Sequence, residues 1–277
     1  MNKSGSIRRF FGVPFMLWAV LFILLPLFFV LQHGLTNEAG VFSLANVRLA
    51  LEWEYLKALG LSILLALIST VCCLVLGYPL CLILREYAKK SGVLIFLLFL
   101  LPLGMNSLLT TMAWQTILER HGVLNMALAA IGLPALQIVN TPVAIVIGMV
   151  YNFLPYMVLP LYVSVAAVDT RIIEAARDLG ASRWQTIRYI LMPLTRPGII
   201  SGCTMVFIPA LTTFVISALL GGNKVLLIGN IIEQELTAAY NWQLGSALSM
   251  VLMVFIILNM LLEFFTDADK RKREVKA

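Results

Sequence analysis

Apolar residues along this chain fall into six long blocks. They do not form the short amphipathic stretches of a water-soluble domain. The blocks are Phe10–Leu31, Ala58–Leu84, Gly92–Trp114, Pro142–Val168, Pro197–Leu220 and Leu244–Phe265. Each reaches or exceeds the roughly 20 apolar residues that carry a helix across a bilayer core, and none has a charge in its middle. Strand-like alternation is missing, which argues against a membrane β-barrel. The pattern predicts an all-α integral membrane protein with six transmembrane helices and no soluble domain or linker.

The segments between the blocks are unequal. The outer segment Gln32–Lys57 contains SLANVRLALEWEYLKAL, whose apolar spacing predicts a short surface helix. Gln115–Thr141 contains NMALAAIGLP, which reads as a re-entrant or interfacial turn, and Gly221–Gln243 is weakly helical after GGNK. Pro26, Pro79, Pro102, Pro155, Pro160 and Pro209 punctuate the spans. Each removes a backbone hydrogen bond, which suits either kinks along a transport path or ordinary membrane-helix packing.

Charge placement orients the helices. With the N-terminus inside, the inner segments hold Lys3, Arg8, Arg9, Arg85, Lys89, Lys90, Arg171, Arg177, Arg183, Arg188, Arg196, Lys270, Arg271, Lys272, Arg273 and Lys276. The outer loops hold only Arg48, Lys57, Arg120 and Lys224 out of 20 basic residues. The positive-inside rule then places both termini in the cytoplasm. The first block follows basic residues as a signal peptide would, but its end, LQHGLTNE, lacks a small-x-small cleavage pattern, so it reads as an uncleaved anchor.

Composition agrees with this reading. The chain is 61% hydrophobic and 12% charged, against about a quarter charged in soluble domains. The net charge of +6 follows from orientation and gives no reason to expect nucleic acid as a partner. The tail KRKREVK is placed to touch anionic lipid, or simply to flank the last span. Cys72, Cys73, Cys81 and Cys203 lie within spans without metal-ligand spacing and read as packing residues. His33 and His121 are isolated in outer loops. No metal or catalytic cluster is present, which weighs against a membrane enzyme.

The one compact charged insert is the inner segment Asp169–Arg196. Asp169 or Thr170 caps a first helix, with Ile172, Ala176 and Leu179 on one face and Arg171, Glu174 and Asp178 on the other. Gly180 stops it, because the residue past a helix end favours the left-handed region. Ser182-Arg-Trp-Gln185 is a capping box that starts a second helix, with Trp184, Ile187 and Leu191 on its apolar face and Pro193 at its end. The residues alone leave two readings open: a connector at the lipid interface, or a piece that docks into a cytoplasmic partner.

Here the sequence resembles the ABC-importer permeases, whose loop has the form E-A-A-x(3)-G-x(9)-I-x-L-P. Glu174, Ala175, Ala176, Gly180, Ile190 and Pro193 stand in that register, and Met192 replaces the usual leucine. The stretches LVLGYPL, PLGMNSLLTTMAW, PLTRPGIISG and GGNKVLLIGN resemble the polyamine branch of that family, most clearly over Leu59–Asn230. The resemblance implies a type I importer permease fold, with residues 1–277 as one transmembrane permease domain in the inner membrane. It implies partners: an ATP-binding-cassette ATPase dimer, a second permease and an extracytoplasmic solute-binding protein. It also implies ATPase docking on Glu174, Ala175, Ala176, Arg177, Asp178, Gly180, Ala181, Ser182, Trp184 and Pro193. The implied solute is spermidine or putrescine, although permeases for other solutes share the loop.

This chain has no G-x-x-x-x-G-K-[ST] and no cofactor site of its own, so ATP and Mg belong to the partner ATPase. Path candidates are polar residues within spans: Asn106, Ser107, Thr110, Thr111 and Trp114 in the third, Tyr151, Asn152 and Tyr156 in the fourth, Thr212, Thr213 and Ser217 in the fifth, with Glu233 near the outer mouth. The competing reading is inter-helix hydrogen bonding, worth about 0.6 kcal/mol each; Gly198-x-x-x-Gly202 reads as a packing pair. No acid lies in a span core, although a cationic solute would favour one. A secondary transporter working alone would also be expected to carry intramembrane ionisable groups for coupling.

Overall fold

The computed structural model describes residues 14–37, 39–87 and 101–274, the side chains at 87, 223 and 262–274 excepted. Residues 10–13 and 92–100 of the first and third expected spans lie outside the described residues, as do Lys3, Arg8, Arg9, Lys89, Lys90 and Lys276. Contacts group the chain into two units, Met1–Leu59 with Ile231–Ala277, and Gly60–Asn230.

In the first unit, α1 (Pro14–Gly34) and the short α2 (Ala45–Ala50) pack against the last helix, which runs Trp242–Glu274. The approach at Gly34 is close: a Cβ there would sit 2.5 Å from the Met250 sulfur and 3.2 Å from the Ala247 nitrogen. A π turn at Val20–Leu24 precedes Pro26, which has no N–H to offer the carbonyl of Phe22. The widened turn shifts the bonding register, and Leu25 N–H reaches Val20 O instead.

The single surface helix expected before the second span is in fact two pieces. Backbone turns at Leu51 and Glu52 end α2, and α3 (Trp53–Tyr87) starts at once, so the second span begins five residues before Ala58. Glu54 in its first turn suits the positive end of the helix dipole.

The second unit holds most of the remaining helices. They are α4 (Ser107–Leu118), α5 (Val123–Ala130), α6 (Pro142–Ala166), α7 (Thr170–Asp178), α8 (Arg183–Leu194), α9 (Arg196–Thr212) and α10 (Val215–Gly221), followed by the start of α11 (Ile228–Thr237). Its core joins Cys73, Tyr78, Cys81 and Leu84 of α3 to Met157, Val158, Leu161 and Val165 of α6 and Val206 of α9. Lipid tails are as apolar as these side chains, so close packing rather than water exclusion holds such helices together. Small residues permit it. At Gly198 a Cβ would sit 2.4 Å from the Ser164 Cβ, and at Gly202 2.7 Å from the Met157 sulfur. The Gly198/Gly202 pair is thus the seam between α9 and α6. On the other side of α3, Val71, Val75, Leu76 and Ile83 are 53% to 64% exposed, as a lipid-facing surface requires.

Among the described residues, four helices are long and apolar enough to cross a membrane: Pro14–Gly34, Trp53–Glu86, Pro142–Ala166 and Trp242–Leu261. A fifth candidate is the bent pair α8 and α9, at 72°. Two expected spans are not continuous helices. In the third, Leu101–Gly104 is a 3-10 turn and Asn106 is extended, its side chain accepting from Leu108 N–H at 2.9 Å as the N-cap of α4. A residue read as an intramembrane polar group therefore begins a new helix. In the fifth, Thr213 turns extended at φ −65° and ψ 137°, and α10 follows only at Val215.

Candidate coupling elbow and translocation path

The insert after α6 folds from its own sequence. Asp169 caps α7, its Oδ1 accepting from Arg171 N–H at 2.9 Å. At the other end Gly180 takes φ +83°, a region costly for residues with a Cβ. Gly180 N–H then reaches Arg177 O at 2.9 Å and Ala181 N–H reaches Ala176 O at 3.0 Å, the paired bonds of a Schellman cap. Ser182 and Gln185 form the reciprocal capping box: Gln185 N–H donates to Ser182 Oγ at 3.2 Å and Ser182 N–H to Gln185 Oε1 at 2.8 Å.

Pro193 does not end the second helix. Ile187–Leu191 forms a π turn, Met192 N–H bonds Ile187 O, and helix continues to Leu194. Pro193 stands two residues past a π turn just as Pro26 does, and the widened turn relieves the clash a proline makes with the carbonyl four residues back. The chain turns instead at Thr195, where α9 departs at 72°.

The expected apolar face divides. Ala176 and Leu191 are buried and Ile187 is half-buried. Ile172 is 44% exposed, Leu179 90% and Trp184 64%, so the described residues leave these side chains uncovered. Glu174 lines a cleft of about 290 Å³ together with Arg85, Glu86, Arg177 and Arg183. Ala175, Asp178, Ser182 and Pro193 are exposed, and Ala181 is half-buried.

Among the described residues, two side-chain hydrogen bonds link the elbow to α3. Arg85 Nη2 donates to Val168 O at 2.6 Å in the turn leaving α6. The hydroxyls of Tyr78 and Thr195 meet at 3.1 Å, both side chains buried.

The path candidates separate by environment. Thr110 and Thr111 are buried, and their hydroxyls donate to Asn106 O at 3.0 Å and Ser107 O at 2.6 Å in their own helix. Asn152 Nδ2 donates to Gly148 O at 2.9 Å. Trp114 and Tyr151 come together edge to face, ring centroids 5.2 Å apart, and Tyr156 is 37% exposed beside Phe153. Thr212 Oγ1 donates to Ile208 O at 3.1 Å, and Thr213 sits at the break of the fifth span. Glu233 lies on α11, accepting from the Thr237 hydroxyl at 3.0 Å. It belongs to the other unit from the remaining candidates.

Sequence reading missed Asn230. Its Oδ1 accepts from the Ser217 hydroxyl and from Leu227 N–H, and its Nδ2 donates to Phe214 O at 3.0 Å. Asn125 was also missed: it staples the segment between α4 and α6, donating to Glu119 O at 3.0 Å and Leu136 O at 2.9 Å and accepting from Leu136 N–H at 2.8 Å. A lone asparagine in an apolar helix was the available signal for both. Among the described residues no group of three or more His, Cys, Asp or Glu is placed to hold a metal.

Known proteins resemble this chain along nearly its whole length. The spermidine/putrescine transport system permease protein PotB of Salmonella typhimurium (strain LT2) is 38% identical over 270 residues, covering 95% of this chain and 94% of the relative. PotB of Escherichia coli (strain K12) is 40% identical over 252 residues, covering 88% and 92%. A solved bacterial ABC transporter that imports the acidic polysaccharide alginate has the same fold, with TM-score 0.80 at 17% identity and coverage of 98% and 96%. Residues 5–274 match the family of binding-protein-dependent transport system inner membrane components. This chain therefore belongs to that family, as a multi-pass inner-membrane permease subunit of an ABC importer.

Proposed function

We propose that this chain forms half of a polyamine translocation path and receives its drive through the elbow. A separate ATPase dimer, which binds ATP and Mg, docks on Glu174, Ala175, Ala176, Arg177, Asp178, Gly180, Ala181, Ser182, Trp184 and Pro193. A second permease completes the path and an extracytoplasmic solute-binding protein delivers spermidine or putrescine. Residues 1–277 act as one permease domain with six spans and cytoplasmic termini.

The observation that carries the reading is the tip of the elbow. Leu179 and Trp184 stand 90% and 64% exposed on either side of a turn held by a Schellman cap and a capping box. Large apolar side chains on a rigid, charged tip mark a surface that a partner covers. The solute follows from the likeness to spermidine/putrescine permeases over nearly the full length.

For the path, the Trp114–Tyr151 pair supplies aromatic faces where no span core supplies a carboxylate. Asn106, Ser107, Thr110, Thr111, Asn152, Tyr156, Thr212 and Thr213 complete the wall as the helices move, and Glu233 guides entry. The test is uptake of labelled spermidine and putrescine into vesicles holding the full complex. ATP-dependent, saturable uptake is expected. Uptake of a different solute alone would move the chain to another branch of the family, and solute movement without ATP would overturn the coupling.

A further inference from the structure

We propose that α3 is the bar that carries movement of the elbow into the membrane, with Arg85 and Tyr78 as the positioning residues that fasten it. The inference rests on the elbow being the ATPase dock. The elbow has two roots. At the first, Val168 O accepts Arg85 Nη2 at 2.6 Å; at the second, Thr195 meets the Tyr78 hydroxyl at 3.1 Å. Both fasteners come from α3 and stand seven residues apart, hence on one helix face and about 10 Å apart along its axis.

Neither contact is an ordinary surface bond. Val168 follows the C-terminus of α6, where unpaired carbonyls and the helix dipole favour a cation. Among the described residues Arg85 Nη1 is enclosed with no hydrogen-bond partner, so the bond to Val168 O is the hydrogen bond that anchors the guanidinium. Thr195 has one hydroxyl proton and donates it to Leu191 O at 2.7 Å, which makes Tyr78 the donor to Thr195. Tyr78 is 5% exposed and Thr195 0%, so water offers neither hydroxyl an alternative.

Between the fasteners, Cys81 and Leu84 pack into the core with α6, and just before Tyr78, Gly77 admits Met157 to within 3.3 Å of where a Cβ would be. A helix pinned at both roots cannot let the elbow move alone. Because α3 stays helical from Gly60 to Tyr87 within the second unit, about 40 Å at 1.5 Å per residue, displacement at its cytoplasmic end is delivered along that length.

The test uses the full complex in proteoliposomes, with this chain as wild type, Tyr78→Phe, Arg85→Gln, the double variant and Arg85→Lys. Uptake and ATP hydrolysis are measured together, and ATPase stoichiometry is checked after purification. ATPase is expected to remain bound while uptake per ATP falls about threefold to tenfold for each single change, the range one net hydrogen bond covers. The double variant falls further, and Arg85→Lys, which keeps a cationic donor, recovers part of the loss. Unchanged uptake per ATP in the double variant overturns the proposal, as does a parallel fall of both activities at constant ratio, which is what a merely structural role gives. If Arg85→Gln fails to reach the membrane, Tyr78→Phe, which removes one oxygen, decides by the same ratio. Loss of ATPase from the wild-type elbow would instead overturn the docking reading.

Discussion

Asn230 Nδ2 donates to Phe214 O at 3.0 Å, a hydrogen bond that ties the start of α11 to the break in the fifth span. The break frees carbonyls that lipid cannot satisfy. Asn230, 3% exposed, answers with three contacts at once, to Phe214, Ser217 and Leu227. Gly229 beside it has Thr212 O and Thr213 O within 2.9 Å of where its Cβ would be. Asn230→Ala should therefore destabilise the permease by about 1–3 kcal/mol, the cost of leaving a buried partner unpaired. Thermal unfolding of the purified protein in detergent reads this. An unchanged midpoint would mean the break holds itself.

The seam between α9 and α6 predicts a graded result. At Gly198 an added methyl meets the Ser164 Cβ at 2.4 Å and the Pro160 carbonyl at 2.8 Å, whereas at Gly202 the nearest atom is the flexible Met157 sulfur at 2.7 Å. Overpacking typically costs about 1–3 kcal/mol. Gly198→Ala should lie at the upper end and Gly202→Ala at the lower, because a methionine can swing aside and a backbone carbonyl cannot. The reverse order of melting temperatures would contradict the packing described.

How legible this was in the sequence depended on whether the determinants were local. Asp169, Gly180 and Ser182–Gln185 each act within a few residues, and all three caps were readable beforehand. Pro193 misled because a proline rule that ignores π turns stops the helix too early. The break at Thr213 carries no Gly or Pro, and what holds it, Asn230, is 16 residues from Phe214, beyond any local pattern. Asn106 also caps α4, with an extended backbone at φ −68° and ψ 120°, a role hidden in the sequence by the apolar run around it. The exposed apolar face of the elbow was unreadable for another reason: helical spacing shows that residues share a face, not what covers it.

The elbow predicts two separable effects. Among the described residues nothing lies within 4 Å of a Cβ at Gly180, yet its φ of +83° penalises one, so Gly180→Ala costs about 1–2 kcal/mol through backbone strain alone. That should loosen the turn and lower the fraction of ATPase that co-purifies. Leu179→Ser with Trp184→Ala leaves the turn intact and removes apolar contact surface. Retention of ATPase should then fall more than for Gly180→Ala, while the permease's own melting temperature stays put. Full retention in the double variant would place the dock elsewhere.

Trp114 and Tyr151 give the last prediction. Their rings meet edge to face at 5.2 Å, and Trp114 is half-buried, so part of the residue stays accessible. If a cationic solute passes over the ring, Trp114→Ala removes one cation–π contact, about 0.5–2 kcal/mol, which corresponds to a roughly twofold to thirtyfold loss of uptake. Trp114→Phe should lose less, because a smaller quadrupole remains, and Tyr151→Phe least, because the ring stays. ATPase binding should be untouched by all three. Initial uptake rates across a range of spermidine concentrations decide the matter. A ranking of Ala below Phe below wild type, with ATPase stoichiometry constant, is what a cation on the ring requires. Equal rates for all variants would remove this pair from the path and leave the cation to be met by the second permease.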